Sequence, residues 1–236
     1  ILTFAVALQL PNAQGVQYEW IPGFGVHFAL DPLGSASVLV AVASLAMIPA
    51  VLWAGYRVTE RTNAFLALLL AMLGFLNGIF LAKDLVLFYV FWEAALIPSL
   101  LMLGGWGLAR RRQATMKYLV YAIAGSFLML VSILAIRPLA GSPPFLFSAL
   151  VTTAPTIPPT TQMWLFAGFA LAFAVKLPLL PLHSWLVDFH LENHPSGAAD
   201  LAGSLYKVGA FGFFAWAIPL LPDGAAAWTP VLITLA

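Results

Sequence analysis

The chain has 236 residues, of which 62% are hydrophobic and 8% charged, with a net charge of +1, no cysteine and a mean hydropathy of +0.98. Soluble domains carry about 25% charged residues, so this is the composition of an integral membrane protein. The missing thiols exclude cysteine-held iron–sulfur clusters, disulfides and c-type haem attachment, the near-zero charge argues against a nucleic-acid partner, and no GxGxxG or Walker loop offers a nucleotide site. What remains is chemistry with protons, ions or a small ligand, with no cofactor expected in this chain.

The first residues, "ILTFAVALQL", read as the tail of an earlier helix, and Ile1 is not a methionine. There is no charged n-region or cleavage site of a signal peptide. The chain is therefore expected to be a piece of a longer protein. A polar connection with Glu19, His27 and Asp31 follows, and then six apolar runs at about 35–55, 62–82, 84–107, 114–136, 161–190 and 198–220. Each has about the 20 residues a helix needs to cross a hydrocarbon core, and helices satisfy their own backbone there. "WTPVLITLA" opens one more run. The expected fold is an all-α polytopic membrane protein: a single transmembrane domain over 1–236, with about six complete spans and partial helices at its ends.

The connections at 56–61 and 108–113 carry Arg57, Arg61, Arg110, Arg111 and Arg112, whereas the opposite connections hold Lys83 and Arg137. The positive-inside rule places the arginine-rich loops in the cytoplasm, and alternation puts 191–197 on the same side. The 137–160 loop has six prolines, which exclude a spanning helix, although "FLFSALV" can lie along the interface.

Three charges fall where a bilayer centre is expected, at a cost of about 2.5–3.5 kcal/mol each on insertion scales. Glu93 comes nine residues after Asp84, ~14 Å along a helix. Lys176 occupies the middle of 161–190, and Lys207 comes seven residues after Asp200, ~10 Å along. Such groups set one another's proton affinity and can pass protons. The plainer alternative makes Glu93 a static partner of either lysine. Lys117, close to the arginines, is expected to snorkel.

In "ALAFAVKLPLLPLHSWL" two prolines, Pro178 and Pro181, follow Lys176 at once. They break the helix and free carbonyls near 173–177, and unwound backbone at membrane depth is tolerated where it is buried in protein or lines a wet cavity. A helix broken at a lysine is a pattern of ion-handling sites, and a simple kink is the alternative. His183, His190 and His194 have spacings that can share a helix face, but no HExxH pattern supports a metal, and none is expected. His183 is either a proton relay or an interfacial residue.

"KDLVLFYVFWEAALIPSLLMLGGWG" and "FAVKLPLLPLHSWLVDFHLENHPSGAADLAGSLYKVGAFG" resemble helices five, seven and eight of the M-type antiporter-like membrane subunit of bacterial respiratory complex I, the proton-translocating NADH:quinone oxidoreductase. That subunit is the counterpart of mitochondrial subunit four. The resemblance runs from about Asp31 to Ala236. It implies a fold of about fourteen helices with two inverted five-helix repeats, most of the first lying here. It also implies that Glu93, Lys176 and Lys207 translocate protons, with His183 a member of the path. No redox centre is implied in this chain; electron transfer in other subunits drives the pairing of Glu93 with Lys176, and Lys207 passes the proton on. The implied partners are neighbouring antiporter-like subunits, and the implied location is the bacterial inner (plasma) membrane. Val187 stands where the family usually has proline. Two alternatives stay open: a subunit of a multi-subunit sodium/proton antiporter, which shares this ancestry, and a structural membrane subunit whose buried charges hold helices together.

Overall fold

The computed structural model describes residues 2–32, 34–198 and 205–235, the side chains of 205–207 excepted. Short helix α1 (Leu2–Ala7) leads into an antiparallel hairpin, β1 (Val16–Ile21) and β2 (Val26–Leu30). Among the described residues, four helices are then long and apolar enough to cross a membrane, against the six complete spans expected, because the runs at 161–190 and 198–220 are made of shorter helical pieces. The four are α2 (Ser35–Arg57), α3 (Thr62–Leu81), the span formed by α4 (Leu85–Ala94) and α5 (Leu96–Trp106), and α6 (Arg111–Leu139). The α4–α5 junction falls at Ala95, three residues before Pro98, whose ring crowds the carbonyl of Ala94.

The expected run 161–190 is two helices, α8 (Pro159–Lys176) and α9 (Ser184–Glu192), separated by a non-helical stretch that contains Pro178 and Pro181. Between α6 and α8, "FLFSALV" forms part of the short helix α7 (Phe147–Thr153). Of the expected run 198–220, the described part is helical: α10 (Leu205–Gly212), a π-helical turn at Phe213–Ala217 and Ile218–Leu220. Pro219 cannot return a hydrogen bond to the carbonyl four residues back, which gives the widened turn a local cause. The last run is α11 (Pro222–Leu235).

The polar connection expected before α2 is largely the hairpin, and it is built into one end of the helical bundle. Lys83 N–H donates to Ala29 O, Asp31 N–H to Leu81 O, Phe145 N–H to Gly25 O and Phe147 N–H to Lys83 O. Asp84, fully buried, fastens this joint. Its Oδ1 accepts the free N–H groups of Val86 and Leu87 at the start of α4, and its Oδ2 accepts His27 N–H at 2.8 Å. Gly25 (φ +69°) has the left-handed backbone that lets the hairpin turn sit against Pro144.

At the opposite end the arginine-bearing connections meet the loop after α9. Glu192 accepts Arg110 N–H at 2.7 Å and Nε–H at 3.2 Å, and its own carbonyl accepts Leu108 N–H. Arg61 lies 4.5 Å over the Trp106 ring, and the His194 ring lies tilted against Phe65 at 5.9 Å between centroids. The two arginine-bearing loops and 191–197 therefore share one face, as alternation requires. Lys117 does not simply snorkel but pairs with Asp188 at 2.9 Å.

Helices α6 and α8 cross closely because small residues remove bulk at the contact. A Cβ on Gly168 would collide with Ser132 Oγ, and one on Gly125 would lie 3.2 Å from Ala172 Cα. Val120, Phe127 and Leu134, seven residues apart on the outer face of α6, stay exposed and suit a lipid environment.

Candidate functional site

The α6–α8 crossing and the α4–α5 junction set two interrupted helices side by side. Lys176, the last residue of α8, is 4% exposed, and its Nζ donates to Trp92 O at 3.2 Å while lying 3.9 Å from the centroid of the Trp92 ring. A desolvated cation over an indole face is worth about 2 kcal/mol or more, which offsets much of the cost of placing a charge at this depth. The carbonyl it uses belongs to the turn just before the α4–α5 junction, where the helical ladder is already loosened.

Glu93 is the next residue of α4. It interacts electrostatically with Lys176, Tyr89 and Tyr118, and its Oε1 is buried with no hydrogen-bond partner. Among the described residues the ion pairs within 4.0 Å do not include Glu93–Lys176. The two groups share a site without touching, and the lysine rests on the backbone and ring of Trp92. An arrangement of this kind can exchange a proton through an intervening water, because neither partner is locked in a direct pair.

The prolines do break the helix, but three carbonyls at the break have partners. Phe173 O accepts Leu177 N–H at 2.7 Å, Ala174 O accepts Leu179 N–H at 2.9 Å, and Val175 O accepts Trp185 Nε1–H at 3.0 Å. Trp185 thus reaches back from α9 and closes the break. It also stacks on Tyr118 at 4.5 Å and packs on Phe189, forming with Leu96, Leu103 and Val175 a second small core beside the main one.

His183 precedes α9 immediately, and its Nδ1 is buried without a partner. Beside it, Ser184 Oγ and Tyr121 hydroxyl are 2.8 Å apart. His190 is inside α9, whereas His194 lies beyond the helix end, where it accepts Ser196 N–H. The three histidines therefore do not share one helix. The side chain of Lys207 lies outside the described residues. Its helix is placed by two glycines: a Cβ on Gly209 would come within 2.9 Å of Leu177 N and Phe173 O, and one on Gly212 would meet the Phe173 ring at 2.5 Å. Helix α10 thus packs directly on the break below Lys176.

Sequence reasoning missed Trp92, Trp185, Tyr118 and Ser99. Trp92 and Trp185 stand beside candidate residues in the chain, but their roles depend on contacts 84 and 10 residues away, which no local pattern encodes.

These features define a polytopic membrane protein with a buried lysine at a helix break and a partly buried glutamate beside it. The chain belongs to the NADH:quinone oxidoreductase/Mrp antiporter transmembrane family, whose match covers residues 82–236. It is 46% identical over 224 residues, 95% of its length, to a Thermus thermophilus protein named NADH-quinone oxidoreductase subunit 13, and covers 46% of that protein. It is 33% identical to NADH-quinone oxidoreductase subunit M of Rhodobacter capsulatus, with all of this chain and 49% of that protein covered. The structure of respiratory complex I from Thermus thermophilus with bound NADH contains a chain superposing with a TM-score of 0.90 at 42% identity, covering 99% of this chain and 50% of that one. The chain spans about half the length of the relatives it matches.

Proposed function

We propose that this chain forms the first-repeat portion of a proton-translocating membrane subunit of NADH:quinone oxidoreductase in a bacterial inner membrane. The buried amine of Lys176, held at a helix break beside an unpaired Glu93 carboxylate oxygen, carries the reading. Two relatives bearing that enzyme's name support it, at 46% and 33% identity. Electron transfer takes place in other subunits and changes the balance between Glu93 and Lys176. The proton then leaves Lys176 toward Lys207 on α10, and His183, with a free buried ring nitrogen, is a further member of the path. Neighbouring antiporter-like subunits and the lipid bilayer are its partners.

The test uses membrane vesicles containing the full-length subunit with Lys176→Ala, following NADH-driven quinone reduction and proton uptake together, with assembly checked on a native gel. The expected result is an assembled complex whose proton uptake and coupled electron flow both fall, on the order of tenfold or more. Unchanged values for both would leave the lysine a structural residue and end this reading.

A further inference from the structure

Lys176 lines a small cavity of about 10 Å³, together with Trp92, Leu96, Tyr118, Ala122, Ala172, Val175 and Trp185. That volume is at the threshold for one water molecule. The chemistry of the lining is selective. Four of these side chains are aliphatic, a tryptophan N–H is a donor only, and that of Trp185 is already given to Val175 O. Apart from the lysine, Tyr118 is the lining residue that can both donate and accept a hydrogen bond.

Tyr118 is also in the right place. It is buried, seven residues into α6, so its Cα lies ~10 Å along the axis from the arginine-bearing end of that helix. Ser99 Oγ donates toward the Tyr118 hydroxyl at 3.5 Å and toward Leu96 O at 2.8 Å. Ser99 itself is 1% exposed and sits in the half of its span that leads to Trp106, at the same face. Lys117, the residue before Tyr118, forms the Asp188 pair on the surface. Two buried hydroxyls thus stand between the arginine-bearing face and Lys176, in an otherwise apolar cluster where they contribute little to packing that carbon could not.

We propose that the Tyr118 hydroxyl, backed by Ser99, is the relay through which Lys176 is reprotonated from the arginine-bearing face. Tyr118 passes its hydroxyl proton through one water in the cavity to the neutral Lys176 amine, and accepts a proton from the Ser99 side in the same event. Ser99, having given its hydroxyl proton to Tyr118, takes one from solvent water at the arginine-bearing face, so at each hydroxyl one O–H bond breaks as another forms and the lysine gains the one proton that solvent loses. A tyrosine holds its proton at neutral pH, which makes concerted exchange, and not a standing phenolate, the route.

This inference rests on the translocation reading above, and the two are separable in one set of measurements on the full-length subunit in assembled complex. Tyr118→Phe keeps the ring that stacks on Trp185 and Phe189 and removes the hydroxyl. Expected are normal assembly, normal NADH oxidation by a hydrophilic artificial acceptor, and a fall in proton uptake and quinone-coupled turnover on the order of tenfold. Loss of uptake in Lys176→Ala with full uptake in Tyr118→Phe would overturn the relay and leave the translocation reading standing. Full uptake in both variants would remove both. As a shape-preserving second variant, 3,5-difluorotyrosine at 118 lowers only the hydroxyl's proton affinity. The pH profile of uptake should move to lower pH, and an unmoved profile overturns the relay.

Discussion

Trp185 shows how a broken helix becomes tolerable at membrane depth. Its indole N–H takes over the Val175 carbonyl that the proline-disrupted ladder leaves open, and its ring stacks on Tyr118. Trp185→Phe keeps most of the ring but orphans the carbonyl, at a cost of about 1–3 kcal/mol, to be measured as a lowered unfolding midpoint of the protein in detergent. An unchanged midpoint would mean that water replaces the indole. His194, at the arginine-bearing face, has a proton affinity lowered first by burial and then by the nearby Arg57. Its folded pKa is below the ordinary 6.5, so the unfolded chain protonates first as pH falls. The associated stability is full above about pH 6.5 and is lost as pH drops through the folded value. Thermal stability should therefore decline on acidification from pH 7.5 to 5.5, and His194→Gln should flatten that decline. Glu93 and Lys176 were legible as residues because charge in an apolar run is costly. Their contacts were not, since Trp92 carries no mark in the sequence that distinguishes it from any other aromatic in the span.

At the scale of elements, the four long spans follow from apolar run length, while the hairpin was read as a loop. The signal was present: "VQYEWI" and "VHFAL" are rich in β-branched and aromatic residues, and Gly23 and Gly25 lie in the turn between them. In a chain so apolar, two short strands are lost against the dominant helical pattern, and they are stable only because the ends of α3 and α4 complete their hydrogen bonds. Asp84 is the hinge of that arrangement, as cap of α4 and as acceptor for His27. Asp84→Ala removes the cap, worth about 0.5–2 kcal/mol, and orphans His27 N–H as well. Faster amide exchange across 16–30 is the expected result, with α6 unaffected, whereas equal protection in variant and parent would show that the strand joint holds by itself.

For the whole molecule, the contacts of Arg110 with Glu192 and of His27 with Asp84 mark two opposite ends, and the positive-inside rule predicts that the arginine end is the cytoplasmic one. A chain without cysteine is a ready background for testing this. In oriented vesicles an impermeant maleimide should label Arg112→Cys from the cytoplasmic side and Gln14→Cys from the other, and the reverse pattern would invert the molecule. The amino-acid sequence by itself determined the membrane class, the order of the four long spans, the position of the break and the burial of Lys176, whereas the burial of Asp84 and Glu192 carried no local mark. What it determined depends on local quantities: run length, the missing N–H of proline and the hydration cost of a charge. Tertiary structure alone decided that Lys176 rests on Trp92 and not on Glu93, that Trp185 closes the break, and that Tyr118 and the lysine line one cavity. Those outcomes depend on how closely α6 can approach α8, which Gly125 and Gly168 set by leaving out side chains, and on which distant groups that approach brings together.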